Sequence, residues 1–369
     1  MNKNNSLFSK SLFIYREGSG GETIAMESLA SALQAKMKTV KLKMSRDEKG
    51  GLRSFLLNLW KESIYLMRYF YRHNENYSYV ITSVHSFIPS IWFMHFFYRY
   101  KLVFIYHGNR IPHDIGEVGF SATIGQKILL KLSFFLWSIS MRLVDLSLLP
   151  SESALKYFRD HKMTCPNNYM ILPNGVKLAS FSLKKQQRNT HQTVAYFGRI
   201  DSKKGIEILI RALVYLPRKT HLLLAITSSD NDKEQKANLE KLIISYGLES
   251  RVQWFFDVKL MRKMYAKVDL VVLPSFEEVM PLVMLESAAT KKLFLGYKVG
   301  EIPKFVNQVD PRMCMSPTNN PVLLANRISL LLGLSEKDKN EIINRFFTLV
   351  QSFDWDNIGV RFMQIITIL

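Results

Sequence analysis

The sequence predicts an α/β protein made of two doubly wound, Rossmann-like domains. Three observations predict it. Short apolar runs alternate with helical patterns along the whole chain, as parallel sheets covered by helices require. Two of those runs end in turns that carry clustered charge and lead into helices, which is where open α/β sheets bind ligands. A polar stretch, Ser182 to His191, has Leu183 as its one large apolar residue and divides the 369 residues into halves of ordinary domain size.

In the first half the strand candidates are 11 to 15, 79 to 82, 102 to 106 and 145 to 149. In the second half they are 193 to 197, 221 to 226, 252 to 255, 269 to 273 and 293 to 295. These assign residues 1 to 182 to one domain and 192 to 354 to the other, with a last helix at about 355 to 369 packing back on the first. The stretch from Asn76 to Tyr98 has no Lys, Arg, Asp or Glu and is long enough for a membrane span. His85, Pro89 and His95 interrupt it, and it reads more simply as a strand, a loop and an aromatic helix.

The most informative segment follows Asp269-Leu270-Val271-Val272-Leu273. It runs Pro274-Ser275-Phe276-Glu277-Glu278-Val279-Met280-Pro281-Leu282-Val283-Met284-Leu285-Glu286. A strand, a short loop and a helix place Glu278 and Glu286 around one strand-to-helix turn. Pro281 suits a helix start, and the N-H groups after it, near Leu282 and Val283, lack intrahelical partners and attract phosphate. The plain alternative is two solvated glutamates flanking a surface turn. A second such segment, Val194-Ala195-Tyr196-Phe197-Gly198-Arg199-Ile200-Asp201-Ser202-Lys203-Lys204-Gly205, puts Arg199 and Lys204 close together after another strand, an arrangement suited to a diphosphate.

Together the two segments resemble retaining GT-B glycosyltransferases of family 4. Leu172-Pro173-Asn174-Gly175-Val176 is similar to that family's interdomain signature, and Leu148-Leu149-Pro150-Ser151 to the strand end before it. Phe104-Ile105-Tyr106-His107-Gly108 resembles the segment presenting an active-site histidine. Gly18-Ser19-Gly20-Gly21-Glu22 resembles the N-terminal glycine loop, and Phe353-Asp354-Trp355 the start of the crossing helix. The resemblance implies a GT-B fold with a cleft between two Rossmann-like domains and transfer of a hexosyl unit, with retention, from a nucleotide-diphosphate sugar. It implies that Glu278 contacts the donor hexose, Glu286 holds the ribose, and Arg199 and Lys204 neutralise the leaving diphosphate. His107 would sit near the sugar, and Gly20 and Gly21 would let the backbone approach the phosphates or acceptor. Gly198 and the turn Met280, Pro281, Leu282 and Val283 would complete the donor site.

Some positions depart from the pattern. Val279 stands where glycine is usual, Lys177 replaces an aspartate, Lys304 an acidic residue, and Thr290-Lys291-Lys292 a glycine-containing turn. Ala225-Ile226-Thr227-Ser228-Ser229 lacks the usual glycines. These keep two alternatives in view: a catalytically degenerate scaffold, and an enzyme with a soluble small-molecule acceptor.

Charge carries a further signal. Fifty Lys and Arg against 31 Asp and Glu give +19, concentrated from Lys36 to Arg72, where ten basic residues face only Asp47, Glu48 and Glu62. If 53 to 72 is helical, Arg53, Lys61, Arg68 and Arg72 fall in one quadrant beside Trp60, Ile64 and Tyr71. Lys127 to Arg142 forms a second basic, aromatic stretch with no acid. Basic and aromatic side chains on one edge suit an anionic membrane surface, the expected partner together with a nucleotide-sugar donor and a saccharide or lipid-linked saccharide acceptor. The alternative is two core-packed helices with solvated basic faces.

Nucleic acid is the other partner such charge suggests, but no recognised binding motif accompanies it. A nicotinamide oxidoreductase shares the sheets, yet its fingerprint needs a third glycine where Thr23 stands. Asp230 with Asp232, and Asp354 with Asp356, are the candidate metal pairs. They read as a solvated loop and a helix N-terminus, so no metal or other cofactor is expected. Cys165 and Cys314 are far apart with no ligand spacing, which suits a reduced compartment. Met1 to Lys10 has no signal-peptide apolar core. The expected setting is cytoplasmic, at the inner face of the cytoplasmic membrane, and the resemblance to family 4 implies by analogy a role in lipopolysaccharide O-antigen or capsule biosynthesis.

Overall fold

The computed structural model describes residues 11–16, 21–33, 38–42, 52–73, 76–84, 88–107, 124–181, 191–227, 233–256 and 262–369. The chain divides into two compact units, one of Met1–Asn174 with Trp355–Leu369 and one of Gly175–Asp354. The division falls at 174/175, a few residues before the polar stretch that the sequence suggests as linker; 182–190 lie outside the described residues.

In the first unit six strands, β1 (Ser11–Arg16), β2 (Lys38–Leu42), β3 (Tyr79–Thr82), β4 (Lys101–Ile105), β5 (Leu146–Leu149) and β6 (Tyr169–Ile171), form one sheet in the order β2-β1-β3-β4-β5-β6. All pairings are parallel, with Phe13 opposite Thr39 on one side and Ile81 on the other. The central strands read as continuous apolar runs because both faces are covered. On one face α1 (Gly21–Leu33) and the C-terminal α13 (Trp355–Ile368) pack over Phe13, Tyr15, Ile81, Val103, Ile105 and Leu148. Gly359 of α13 lies against Ala32 of α1, Phe13 meets Phe362, and Tyr79 donates to the Ile366 carbonyl at 3.1 Å. The last helix thus belongs to the first unit's core.

Three further helices, α2 (Leu52–His73), α3 (Ile88–Tyr98) and α4 (Ile124–Leu143), pack against one another. Ser63 and Ser90 share a hydrogen bond at 2.5 Å, and Tyr98 donates to the Phe70 carbonyl. From α4, Trp137 packs edge-on against Phe104, whose strand neighbours Val103 and Ile105 face α13's side. The helix α5 (Glu152–Asp160) adds Phe158 to the same aromatic cluster.

The second unit repeats the plan. Its strands β7 (Gln192–Gly198), β8 (Thr220–Ile226), β9 (Val252–Phe255), β10 (Leu270–Leu273), β11 (Leu293–Tyr297) and β12 (Cys314–Met315) lie in the order β12-β11-β10-β7-β8-β9, again all parallel. The short α6 (Leu178–Phe181) precedes them, and α7 (Ile206–Leu213), α8 (Lys233–Ser245), α9 (Leu282–Ala289), α10 (Ile302–Val306), α11 (Pro321–Leu332) and α12 (Glu336–Val350) complete the unit. Where the chain enters and leaves this unit the two segments run side by side. Val176 donates to the Phe353 carbonyl and bridges to Asp354, whose carboxylate accepts from the Leu178 amide at 3.0 Å. Asp354 therefore fastens the crossing point as well as preceding α13.

Of the strands among the described residues, three are absent from the sequence prediction, and all three are sheet edges: β2, β6 and β12. No described helix is long and apolar enough to cross a membrane. Asn76 to Tyr98 resolves into β3 and α3, with 85–87 outside the described residues.

Candidate active site

In the second sheet β7 is flanked by β8 on one side and β10 on the other, so the chain order reverses there. Such a switch point opens a crevice beyond the carboxyl ends of the strands, and both charged turns emerge at it.

The turn after β7 is held by its own polar groups. Asp201 accepts from the Lys203 amide at 2.9 Å, capping a 3-10 turn over Ser202–Lys204. Gly205 follows with φ +67°, and a Cβ there would overlap the Pro274 carbonyl oxygen. Glycine is therefore required twice, for its left-handed backbone and for the close approach of the loop after β10. Earlier in the turn Gly198 adopts φ +150°, Tyr196 donates from its hydroxyl to the Arg199 carbonyl at 2.7 Å, and Gly198 accepts from the Thr227 amide. These contacts fix the backbone from which the half-buried Arg199 projects.

The two loops are stitched together. Phe276 donates its amide to the Lys203 carbonyl at 2.8 Å; Lys203 pairs with Glu277 at 3.1 Å and Lys204 with Glu278 at 2.7 Å. Lys204 and Glu278 are only 16% and 10% exposed, so solvent screens their pair far less than a surface bridge. Pro281 caps α9 in an extended conformation (φ −71°), and its carbonyl accepts from Met284. The amides of Leu282 and Val283 are left at the helix start without intrahelical acceptors.

One turn further, Glu286 accepts a hydrogen bond at 2.8 Å from Tyr265, a residue the sequence reading did not single out. Tyr265 is buried, stacked on Phe197 at 4.0 Å and edge-on to Phe181. Burial raises the Glu286 carboxyl above the ordinary carboxylate range, against the opposing pull of the Tyr265 hydroxyl and the Arg262 cation. The residue as a whole is nevertheless only half-buried. Tyr265 itself is pushed well above its usual range, by burial first and then by the Glu286 charge.

Val279 does not open the loop as a glycine would. Its side chain is buried, and its carbonyl accepts from the Glu301 amide at 2.8 Å. Gly300, with φ +54°, lies so close that a Cβ would overlap the carbonyl oxygens of Glu278 and Val279. Lys177 is exposed, and Lys304 is exposed with a loose contact to Glu301. Lys291 takes up φ +56°, the left-handed position closing a helix that glycine fills most easily.

The remaining candidates lie in the first unit. His107 follows β4, and its Nδ1 is 3.1 Å from the Asn174 side-chain oxygen. A carbonyl oxygen only accepts, so Nδ1 carries the proton and Nε2 keeps its lone pair; that buried Nε2 has no partner among the described residues. Burial lowers the His107 pKa, against the raising effects of Asn174 and of Glu22, the second residue of α1. Gly21 opens α1, while Gly18, Ser19 and Gly20 lie outside the described residues. Of the acidic pairs, Asp230 and Asp232 also lie outside them, and among the described residues no cluster of three metal-ligating side chains occurs.

The two Rossmann-like units define a class before any relative does, and comparison with known proteins agrees with it. Across 97% of this chain and 98% of theirs, the coordinates match sucrose-phosphate synthase from Thermosynechococcus elongatus with a TM-score of 0.79 at 19% identity. Anabaena HepE, in complex with UDP and glucose, matches over 98% of this chain and 100% of its own with a TM-score of 0.73 at 18% identity. The fold is GT-B. Residues 180–345, within the second unit, match the family "Glycosyl transferases group 1". Among curated proteins, the lipopolysaccharide glucosyltransferase WaaG of Escherichia coli K12 is 26% identical over 37% of this chain and 39% of its own length. The curated relatives align over 35–44% of their own lengths.

Proposed function

We propose that this protein is a retaining, metal-independent hexosyltransferase of family 4. It moves a sugar from a nucleotide-diphosphate donor to a saccharide or lipid-linked saccharide, in the assembly of lipopolysaccharide O-antigen or capsule. The observation that carries the reading is the junction of the two turns, where the Arg199/Lys204 cations meet the Glu278/Glu286 loop and helix through the 2.7 Å Lys204–Glu278 pair. The chemistry divides naturally: cations and helix-start amides suit a diphosphate, and carboxylates suit sugar hydroxyls.

As the anomeric C-O bond breaks, negative charge grows on the departing diphosphate. Arg199, Lys204 and the amides of Leu282 and Val283 stabilise it where it develops, which is the term that most often dominates such catalysis. Two fixed cations supply the charge a divalent ion would otherwise bring. Glu278 accepts from hexose hydroxyls, and Glu286, oriented by Tyr265, accepts from the ribose diol. Gly198 leaves space beside the phosphates, and Met280 and Pro281 shape the wall. His107, neutral with an unprotonated Nε2, accepts from a sugar hydroxyl. WaaG is a lipopolysaccharide glucosyltransferase, HepE was solved with UDP and glucose, and the +19 charge suits an acceptor held at an anionic surface.

Calorimetry with UDP, GDP and ADP, on the wild type and on Glu286→Ala, tests the donor site. One nucleotide is expected to bind and the substitution to weaken it, with turnover unchanged in EDTA. Absence of binding by all three would leave a degenerate scaffold, and turnover abolished by EDTA would remove the role given to Arg199 and Lys204.

A further inference from the structure

The sequence draws attention to the basic faces of α2 and α4; the structure draws it to the helix between them. α3 buries Ile88, Ile91 and Met94 and turns Trp92, Phe93, Phe96 and Phe97 outward, with Phe96 79% and Phe97 64% exposed. Four adjacent aromatic side chains in water are far from the scattered apolar exposure of an ordinary surface, and no charge interrupts them. Phe97 makes edge contacts with both Phe93 and Phe96, so the rings form one patch.

The neighbouring helices frame that patch. α2 exposes Leu57, Trp60, Lys61, Tyr65, Arg68, Tyr71 and Arg72, and α4 exposes Ile124, Lys127, Ile128, Lys131, Phe135 and Arg142. Trp60 is 63% and Tyr71 82% exposed. Across the three helices only one carboxylate occurs, Glu62, and it is buried. Every described charge on the outward surface of these helices is therefore positive.

We propose that the outward face of α2, α3 and α4 docks on an anionic lipid bilayer, with the α3 aromatics entering the headgroup region and the basic side chains of α2 and α4 holding lipid phosphates. Trp, Tyr and Phe favour that interface, while Lys and Arg reach anionic headgroups along their apolar stems. A protein partner would need an acidic surface around an apolar one, whereas an anionic bilayer offers both layers at every point. The proposal bears on the lipid-linked acceptor of the function proposed above, but stands on this face alone.

Vesicle sedimentation of the full chain tests it, using phosphatidylcholine vesicles with and without phosphatidylglycerol. The wild type is expected to bind the anionic vesicles at low salt and to release at high salt. Phe93→Ser/Phe96→Ser/Phe97→Ser and Lys61→Glu/Arg68→Glu/Lys131→Glu should each weaken binding at least about tenfold, and Trp fluorescence should shift to the blue on binding only in the wild type. Nucleotide calorimetry on the same variants should be unchanged, which reports folding and separates this surface from the donor site. Failure of the wild type to bind, variants that bind as well as it does, or a wild type that instead self-associates through this face in a way the Ser variant abolishes, would each overturn the proposal.

Discussion

If the proposed donor site is right, the Lys204–Glu278 pair makes it hold its own counter-ion before any donor arrives. The pair is 2.7 Å long with both partners mostly buried, and a hydrogen bond between charged groups in such a place nets about 1.5–3 kcal/mol. A diphosphate competes with Glu278 for the same ammonium, so part of that energy is surrendered on binding. Glu278→Gln removes the competing charge and keeps the shape. It should therefore bind the preferred nucleoside diphosphate about three- to tenfold more tightly than the wild type, tenfold being 1.4 kcal/mol. It should also lose about a hundredfold or more in transfer rate, because the hexose loses its carboxylate. Lys204→Met should weaken the diphosphate about ten- to a hundredfold, as expected for a charged contact, and leave the free nucleoside unchanged. Adding Glu278→Gln to Lys204→Met should recover only the part of that loss due to a carboxylate left without its cation beside the phosphates, and affinity should stay well below that of Glu278→Gln alone. Isothermal calorimetry on the four proteins, with thermal melts as folding controls, completes the cycle. If Glu278→Gln weakens the diphosphate as much as Lys204→Met does, the carboxylate supports binding rather than competing with it, and the reasoning is wrong.

Three further outcomes are expected. Tyr265→Phe leaves the Glu286 carboxylate without its hydroxyl donor, raising that pKa further; nucleotide affinity should fall about tenfold at neutral pH and more at mildly acidic pH, measured by calorimetry across pH. His107→Ala should reduce turnover about a hundredfold while nucleotide affinity is kept, and because burial keeps His107 neutral, wild-type turnover should show no loss of this group's function between about pH 6.5 and 8. Lys292 is buried and its pKa is lowered to about 8, so between about 8 and the model-peptide value of about 10.4 the unfolded chain binds the extra proton and stability rises with pH. Lys292→Met should accordingly stabilise the protein at pH 7, on the order of 2–3 kcal/mol, with the gain shrinking as pH climbs through that window; equal pH dependence in denaturant melts of both proteins would contradict it.

What could be read in the sequence follows from where each residue sits. Central strands such as β4 and β10 are buried on both faces and announce themselves as unbroken apolar runs. β2, with Lys38 and Lys41, and the largely exposed β6 are edges, where burial does not demand such a run and charge protects against further pairing. β12 has two residues, too few for any pattern. The charged turns were legible because strand, glycine and helix signals enclose them within a few residues. Tyr265 was not: it lies in a 3-10 turn before β10, more than twenty residues before Glu286, and nothing local marks a tyrosine whose function is to reach another element. Asn174 was visible as part of a motif, but its partnership with His107 spans 67 positions and needed the sheet to bring the two together. The α3 segment read only as an aromatic helix, because composition cannot separate a helix buried all round from one with an uncovered apolar side.

Val279 and Lys291 show why a departure from a sequence pattern is not by itself a loss of the structure the pattern serves. Glycine after Glu278 would give the loop conformational freedom; here the Val279 side chain is buried and anchors the loop to the core, and the required close approach is supplied from the other side by Gly300. At Lys291 no such transfer occurs. A non-glycine residue holds φ +56°, at a cost of about 1 kcal/mol, offset by its ammonium lying 4.6 Å from the Phe347 ring. At Val279 the close approach is thus made by Gly300 of a neighbouring turn, and at Lys291 the left-handed backbone is kept and covered by the Phe347 contact. Both leave the Glu278 loop and the helix carrying Glu286 where the cation turn can meet them.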